Sequence, residues 1–237
     1  ADFDKYSLHS YYQKLQNLCI NDLSALYFDV TKDILYTAHP KSIERLAVQT
    51  VLYETLCVLL PLLVPVMPHL AEDIWQSIPD NQKPDFGFSG PPKSVLLAPW
   101  PERFNYDFLE GVNKLPALYA FKEINTIIKT PANKELEAMR AQGQIGSSLE
   151  AQVLIKSNLD WVTRLNASEL NSLEKLLIVS SLEIIEDTSI PKDNVVIDVK
   201  KADGTKCTRC WRYDTTVGSH NDHAEICNRC YDVVTNL

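Results

Sequence analysis

Two cysteine pairs, Cys207-x2-Cys210 and Cys227-x2-Cys230, lie sixteen residues apart in the last part of the sequence. Two such turns can aim four sulfurs at one point, and Zn2+ takes four thiolates tetrahedrally at about 2.3 Å. The separation falls in the range of zinc ribbons and knuckles. One structural Zn2+ held by Cys207, Cys210, Cys227 and Cys230 is therefore the expectation, with two disulfides or free thiols as the alternative. Four protein ligands leave no open position for water or substrate, so a site of this kind holds shape and performs no reaction. His220 and His223 lie between the pairs and read as loop residues, one of them a candidate hydrogen-bond partner of a ligand.

Four thiolates around Zn2+ leave the cluster with a net negative charge. Lys206, Arg209, Arg212 and Arg229 supply cations beside it, with Trp211 and Tyr213 interleaved. Guanidinium planes and aromatic rings side by side suit unpaired bases and phosphates, through stacking and bidentate hydrogen bonds. Equally, the arginines could only neutralise the cluster while Trp211 packs as the core of the module. Composition does not choose between the two.

The elements that must carry this module are mostly helical. The 237-residue chain has 45% hydrophobic and 23% charged residues, ordinary for a globular protein, and is long enough to bury one or two cores. A formal charge of −8 argues against a globally basic nucleic-acid binder but leaves room for a local basic site. The apolar run Leu56 to Met67 contains Pro61 and Pro65 and falls short of the ~20 residues of a spanning helix, so no membrane association is expected. No signal peptide opens the sequence, and Ala1 stands in what reads as the middle of a helical pattern, as in a fragment of a longer protein.

Residues 5–36 read as one or two helices with Tyr12, Leu15, Leu18, Cys19, Leu23, Leu26, Tyr27, Val30 and Ile34 on a single stripe. Ser42 is the expected N-cap of a helix carrying Ile43, Leu46, Ala47, Thr50, Val51 and Glu54 and running to about Leu60, with Pro61, Pro65 and Pro68 kinking and ending it. A short helix over 69–77 should turn Leu70, Ile74 and Trp75 inward. Cys19 and Cys57 read as buried core thiols, and Glu72-Asp73 as a solvated pair rather than an acid/base site. Residues 79–103 read as a loop with an extended piece at Val95 to Leu97. A helix follows, with Pro116 in its first turn, Leu118, Phe121, Ile124 and Ile128 on one face, and Thr130-Pro131 at its end; "KTPANKELEAMR" reads as a mixed-charge surface helix. From Ser148 the runs "EAQVLI", "EKLLIVSSLEII" and "NVVIDVK" read as strands around one helix starting near Ser168.

Five stretches, "NDLSALYFDVTKDILY", "RLAVQTVLYETLCVLLPLLVPVMPHLAEDIW", "LLAPWPE", "IGSSLEAQV" and "KCTRCWRY…ICNRC", together resemble the C-terminal part of isoleucyl-tRNA synthetases of bacterial and organellar type, a class Ia family. The resemblance covers nearly the whole chain. It implies a mainly α protein: an anticodon-binding helical bundle over 1–100, an α+β junction region over 101–203, and a four-cysteine zinc module over 204–237. It implies tRNA contact by Lys206, Arg209, Trp211, Arg212 and Arg229, with tRNA(Ile) and its anticodon stem-loop as partner. The family often has His-Pro before the third cysteine, where this chain has His223-Ala224, which puts the conformation of that loop in question but not the ligands. The family's H-I-G-H-like and K-M-S-K-S-like signatures do not occur here. ATP, Mg2+ and catalysis are thus expected in an N-terminal catalytic domain that, with the editing domain, lies outside this sequence, and the fragment alone is expected to be an inactive monomer. The implied setting is bacterial cytoplasm or an organelle interior. Two other readings remain: a zinc-pinned structural or interaction module, and a DNA glycosylase of the formamidopyrimidine type, whose terminal zinc module is similar but whose N-terminal proline nucleophile has no match in Ala1-Asp2-Phe3.

Overall fold

A computed structural model describes residues 5–86, 89–101, 123–191 and 194–236. It divides into two units, Ala1–Asp29 with Lys41–Phe108, and Val30–Pro40 with Leu109–Leu237.

The first unit is helical. Helix α1 (Leu8–Asn17) leads into a π-helical stretch, Leu18–Phe28, and α2 (Asp29–Thr37) begins at the division between the units. The π stretch displaces the single stripe expected from sequence. A wider turn breaks the 3.6-residue register, so that Leu15 is buried while Tyr12 and Leu18 are exposed and Cys19 is half-buried. Helix α3 (Ile43–Leu63) starts where expected: Ser42 is extended, and its Oγ accepts from Arg45 N at 3.3 Å. Pro61 sits inside its last turn, two residues before the helix stops, and Pro68 takes the first position of α4 (Pro68–Ser77), where an N–H has no helical partner to lose.

Val48 and Cys57 of α3 are buried, as expected for the Cys57 thiol, and the end of the helix packs into the unit's main core. Leu60 and Leu63 pack with Leu15, Ala71, Trp75 and Val95, whereas Ile43, Leu46 and Val51 are exposed. In α4 Trp75 is fully buried, stacks on Phe86 at 5.8 Å and donates Nε1–H to Pro92 O. Leu70, expected inside, is exposed because Ala71 takes the inward place. Residues Val95–Leu97 form a 3-10 turn and not an extended piece. Glu72 accepts from Ser94 Oγ at 2.7 Å and Val95 N at 3.0 Å, which fixes the turn and gives that carboxylate a partner where sequence suggested only solvent. By length and composition α3 could cross a membrane, with a mean hydropathy of 1.8 in its best window. Glu54 near its centre opposes that, since an ionised residue there costs about 2.5–3.5 kcal/mol.

The second unit is α+β. Strand β1 (Ala151–Ser157) is central, parallel to β2 (Ser181–Glu186) and antiparallel to β3 (Val195–Lys201). Ala151, Val153, Ile155 and Ser157 alternate inward, the period-two signal that made this strand legible. Against them lie Ile128, from a π-helical turn (Ile124–Lys129), and Ala132 and Leu136 from α5 (Thr130–Ala141). Thr130-Pro131 therefore does not end a helix. A π turn directly before Pro131, in which Thr130 N–H bonds Asn125 O, makes room for its ring, and the helix runs on to Ala141. Nor is α5 purely a surface helix, since Ala132 and Leu136 are core residues. Pro116, Leu118 and Phe121 lie outside the described residues.

A one-turn helix α6 (Asp160–Thr163) and α7 (Ala167–Leu177) join β1 to β2. Asn166 and Glu169 form a complete capping box that starts α7, and Ile178, left-handed at φ 57°, ends it. The run "EKLLI", read as strand, is consequently the last turn of α7. A two-residue hairpin, β4 (Thr205–Lys206) with β5 (Tyr213–Asp214), and the final helix α8 (Asn228–Thr235) complete the unit.

Candidate metal centre and nucleic-acid interface

All four cysteines of the two pairs converge. Their sulfurs lie within 4.8 Å of one another, all four residues are buried, and none is in a disulfide. The Cys210 and Cys227 sulfurs are 3.8 Å apart, close to the edge of a tetrahedron of radius about 2.3 Å. Backbone and side-chain donors already point at the sulfurs: Cys227 N–H reaches Cys207 Sγ at 3.4 Å and Arg209 Nη1 reaches Cys230 Sγ at 3.6 Å. Hydrogen bonds with Cys210 and Cys230 lower the Cys227 thiol, whereas those with Cys210 and Cys227 raise the Cys230 thiol. This donor set fits a soft, tetrahedral divalent ion, which would be held by Cys207, Cys210, Cys227 and Cys230 and would supply a structural anchor.

Neither histidine joins the cluster. His220 stacks on Tyr231 with centroids 3.6 Å apart and shares a 2.9 Å hydrogen bond with Asn228 Oδ1. The loop lacking the family proline closes by turn bonds, His223 N to His220 O and Ile226 N to His223 O, and Thr208 N ties it to the first knuckle through Glu225 O.

The cations expected beside the cluster separate into two groups. Arg209, Arg212 and Arg229 turn toward the protein. Arg229 binds Asp33 with both nitrogens, at 2.6 and 2.9 Å, and Arg209 donates to Thr37 O at 2.6 Å. With His39 Nε2 3.0 Å from Asn236 O, three contacts fasten residues 33–39 to the cysteine module. Arg212 pairs with Glu174 of α7 and donates to Ser180 O at 2.7 Å. Ser180, itself buried, also accepts from Tyr213 N, and its hydroxyl bonds Leu149 O, so one side chain seats the hairpin on the sheet. Lys206 and Trp211 turn outward. Trp211 is 62% exposed, adopts φ 67°, and has the Lys206 ammonium 5.9 Å from its ring centroid. Trp211 is therefore not the packed core of the module; Ile226 is, with Val217, Tyr231 and Val234 around it. The engaged arginines are what spacing could not show, because Asp33 and Thr37 lie far back in the chain.

The Asp33–Arg229 pair has a pH signature. Burial alone would raise the Asp33 carboxyl, but the hydrogen bonds and charge of Arg229, with Thr37 and Arg212, bring it below its usual 3.8. A depressed carboxylate stabilises the fold above its unfolded value and loses that contribution as pH falls through its folded value. Asp33→Asn is expected to cost about 1–2 kcal/mol at pH 7, discounted because the Arg229 side chain is 39% exposed. Urea midpoints of variant and parent should converge below about pH 4; a constant gap would show that the charge does not matter.

A profile for the anticodon-binding domain of tRNA ligases matches residues 1–155, about two thirds of the chain. The chain belongs to that anticodon-binding family. A second profile, a zinc finger found in FPG and IleRS, matches residues 204–233 and encloses the four cysteines. Match and cluster together point to zinc as the ion. Among similar proteins, the isoleucine–tRNA ligase of Caldicellulosiruptor bescii is 35% identical over 98% of the chain, and that of Exiguobacterium sibiricum 36% over 100%. The chloroplastic/mitochondrial isoleucine–tRNA ligase of Arabidopsis thaliana is 34% identical over 98%. The chain spans about a quarter of these relatives' length, 24% of the two bacterial proteins and 22% of the plant one. These relatives match this chain over 98–100% of its length.

Proposed function

We propose that this chain is the tRNA-recognising region of an isoleucine–tRNA ligase, and that its cysteine module, shaped by one Zn2+, touches the anticodon stem-loop of tRNA(Ile). The observation that carries the reading is the order of the two matches in one chain, with the zinc-finger match falling on four buried, converging cysteines. That order favours tRNA over the DNA-repair reading, which accounts only for the module. Residues 1–100 form the bundle that receives the anticodon stem, 101–203 the junction and 204–237 the module.

Within the module the work is divided. Trp211 and Lys206 offer a ring and a cation to unpaired bases and phosphate. Arg209, Arg212 and Arg229 serve recognition by holding the module in place on residues 33–37 and on α7. The metal keeps the knuckles in register. The whole protein attaches isoleucine to tRNA(Ile) in two ATP-dependent steps through an adenylate, with ATP and Mg2+ bound outside this chain, which alone is a catalytically inactive, membrane-independent monomer. Its compartment is the bacterial cytoplasm or an organelle interior.

Equilibrium binding of labelled tRNA(Ile) and of an unrelated tRNA to the zinc-loaded chain tests this. The expected result is preference for tRNA(Ile), with affinity falling as salt rises because phosphate contacts release counterions. Equal binding of both tRNAs would overturn the assignment.

A further inference from the structure

The outward surface of the module does not stop at Trp211. The Lys201 ammonium lies 5.7 Å from the Tyr213 ring centroid, as that of Lys206 lies 5.9 Å from Trp211. Lys206 and Tyr213 are direct partners in the β4–β5 register, so cation and ring alternate in the order Lys201, Tyr213, Lys206, Trp211. The four positions come from the end of β3, both strands of the hairpin and the first knuckle. Rigid elements set all of them: Lys201 is paired to Ala151 in the sheet, and Tyr213 N–H is fixed by Ser180. Nearby carboxylates are engaged elsewhere. Asp214 accepts from Thr216 N and Oγ1 at 2.8 and 2.6 Å, and Asp203 lies 3.8 Å from Lys200.

We propose that Lys201 and Tyr213 form a second nucleotide-binding step beside Lys206 and Trp211, taking one unpaired RNA base on the Tyr213 ring and its phosphate on the Lys201 ammonium. The inference rests on the tRNA reading above, adds Lys201, which neither spacing nor resemblance marked, and gives the interleaved Tyr213 ring a base of its own. An ammonium about 6 Å from a ring, with its charge in water, is held by only about 0.5–1 kcal/mol. A base stacked on such a ring gains about 1–3 kcal/mol, so the base displaces the lysine, which swings to the phosphate arriving with it. Tyr213 is half-buried, which fixes its ring before the base arrives and limits the entropy lost on binding.

The test measures tRNA(Ile) affinity against salt for the zinc-loaded chain and for Trp211→Gly, Tyr213→Leu, Tyr213→Phe and Lys201→Gln, with zinc content determined for each. The expected result is a loss of roughly 5- to 100-fold for Tyr213→Leu, little change for Tyr213→Phe, and a salt slope lower by about 0.7–0.9 for Lys201→Gln. A role confined to packing would leave that slope alone. If Trp211→Gly weakens binding while Tyr213→Leu and Lys201→Gln bind as the parent does, the second step is overturned and the tRNA reading stands. If no variant, Trp211→Gly included, alters affinity, both are overturned.

Discussion

Chelating zinc from the loaded chain is expected to melt the cysteine module while the sheet beside it survives. The module's core consists of the four cysteines and Ile226, edged by Val217, Tyr231 and Val234. One buried aliphatic side chain contributes only about 1.5–3 kcal/mol. Ordering some thirty residues costs on the order of 1 kcal/mol or more for each. Structural zinc supplies about 10–16 kcal/mol at neutral pH, several times what that side chain contributes, so the module depends on the ion. The sheet needs no metal, because Val153, Ile155, Ala132, Leu136 and Leu177 form their own core. Hydrogen exchange reads the difference directly. After chelation, the amides of Cys207, Trp211 and Tyr231, bonded to Arg212 O, Cys207 O and Cys227 O, should lose protection, and those of β1 should keep it. Cys210→Ser should act similarly, with zinc affinity down by more than about 100-fold. Protection unchanged in the metal-free chain would mean that the module folds without the ion.

Gly204→Ala is the second large effect expected. Gly204 has φ 93°, and a Cβ there would lie 2.4 Å from Asp214 C and 2.6 Å from Thr215 N. Those are backbone atoms of the opposing strand end, so no side-chain rotation relieves the contact and the hairpin must open. Gly218 supplies the internal control: its φ is 97°, but a Cβ there meets nothing within 4 Å. Gly218→Ala bears only the conformational cost of a positive φ, about 1 kcal/mol, whereas Gly204→Ala should cost roughly 3 kcal/mol or more. Denaturation midpoints and chelator competition for zinc measure both. Equal effects at the two positions would show that the hairpin tolerates the approach.

The features legible from sequence were those whose cause is local. Ser42 caps its helix, the alternation in β1 marks an inward face, and the cysteine spacing brings four sulfurs together. The features missed were those whose cause lies elsewhere in the chain. A Cys-x2-Cys arginine looks like a ligand for phosphate until Asp33 and Thr37, some 170–200 residues away, are seen to hold it. Val95 to Leu97 looks extended until Glu72 is found capping its turn. Leu70 looks like a core residue at helical spacing, but Trp75 fills the space and leaves room only for Ala71. Register was lost in the same way at Leu18–Phe28 and before Pro131, where π-helical turns shift a stripe that simple periodicity would continue.

If a metal-shaped surface centred on Trp211 reads RNA, one substitution isolates its contribution. Trp211 adopts φ 67°, which glycine accepts more easily than tryptophan, so Trp211→Gly removes the ring while easing the knuckle's backbone. The decisive measurement is the affinity of that variant for tRNA(Ile) beside its zinc content and melting temperature. Full zinc occupancy, undiminished stability and binding weaker by roughly 5- to 100-fold are expected. Unchanged affinity in a fully zinc-loaded variant would contradict RNA reading by this surface and leave the module as a structural clasp.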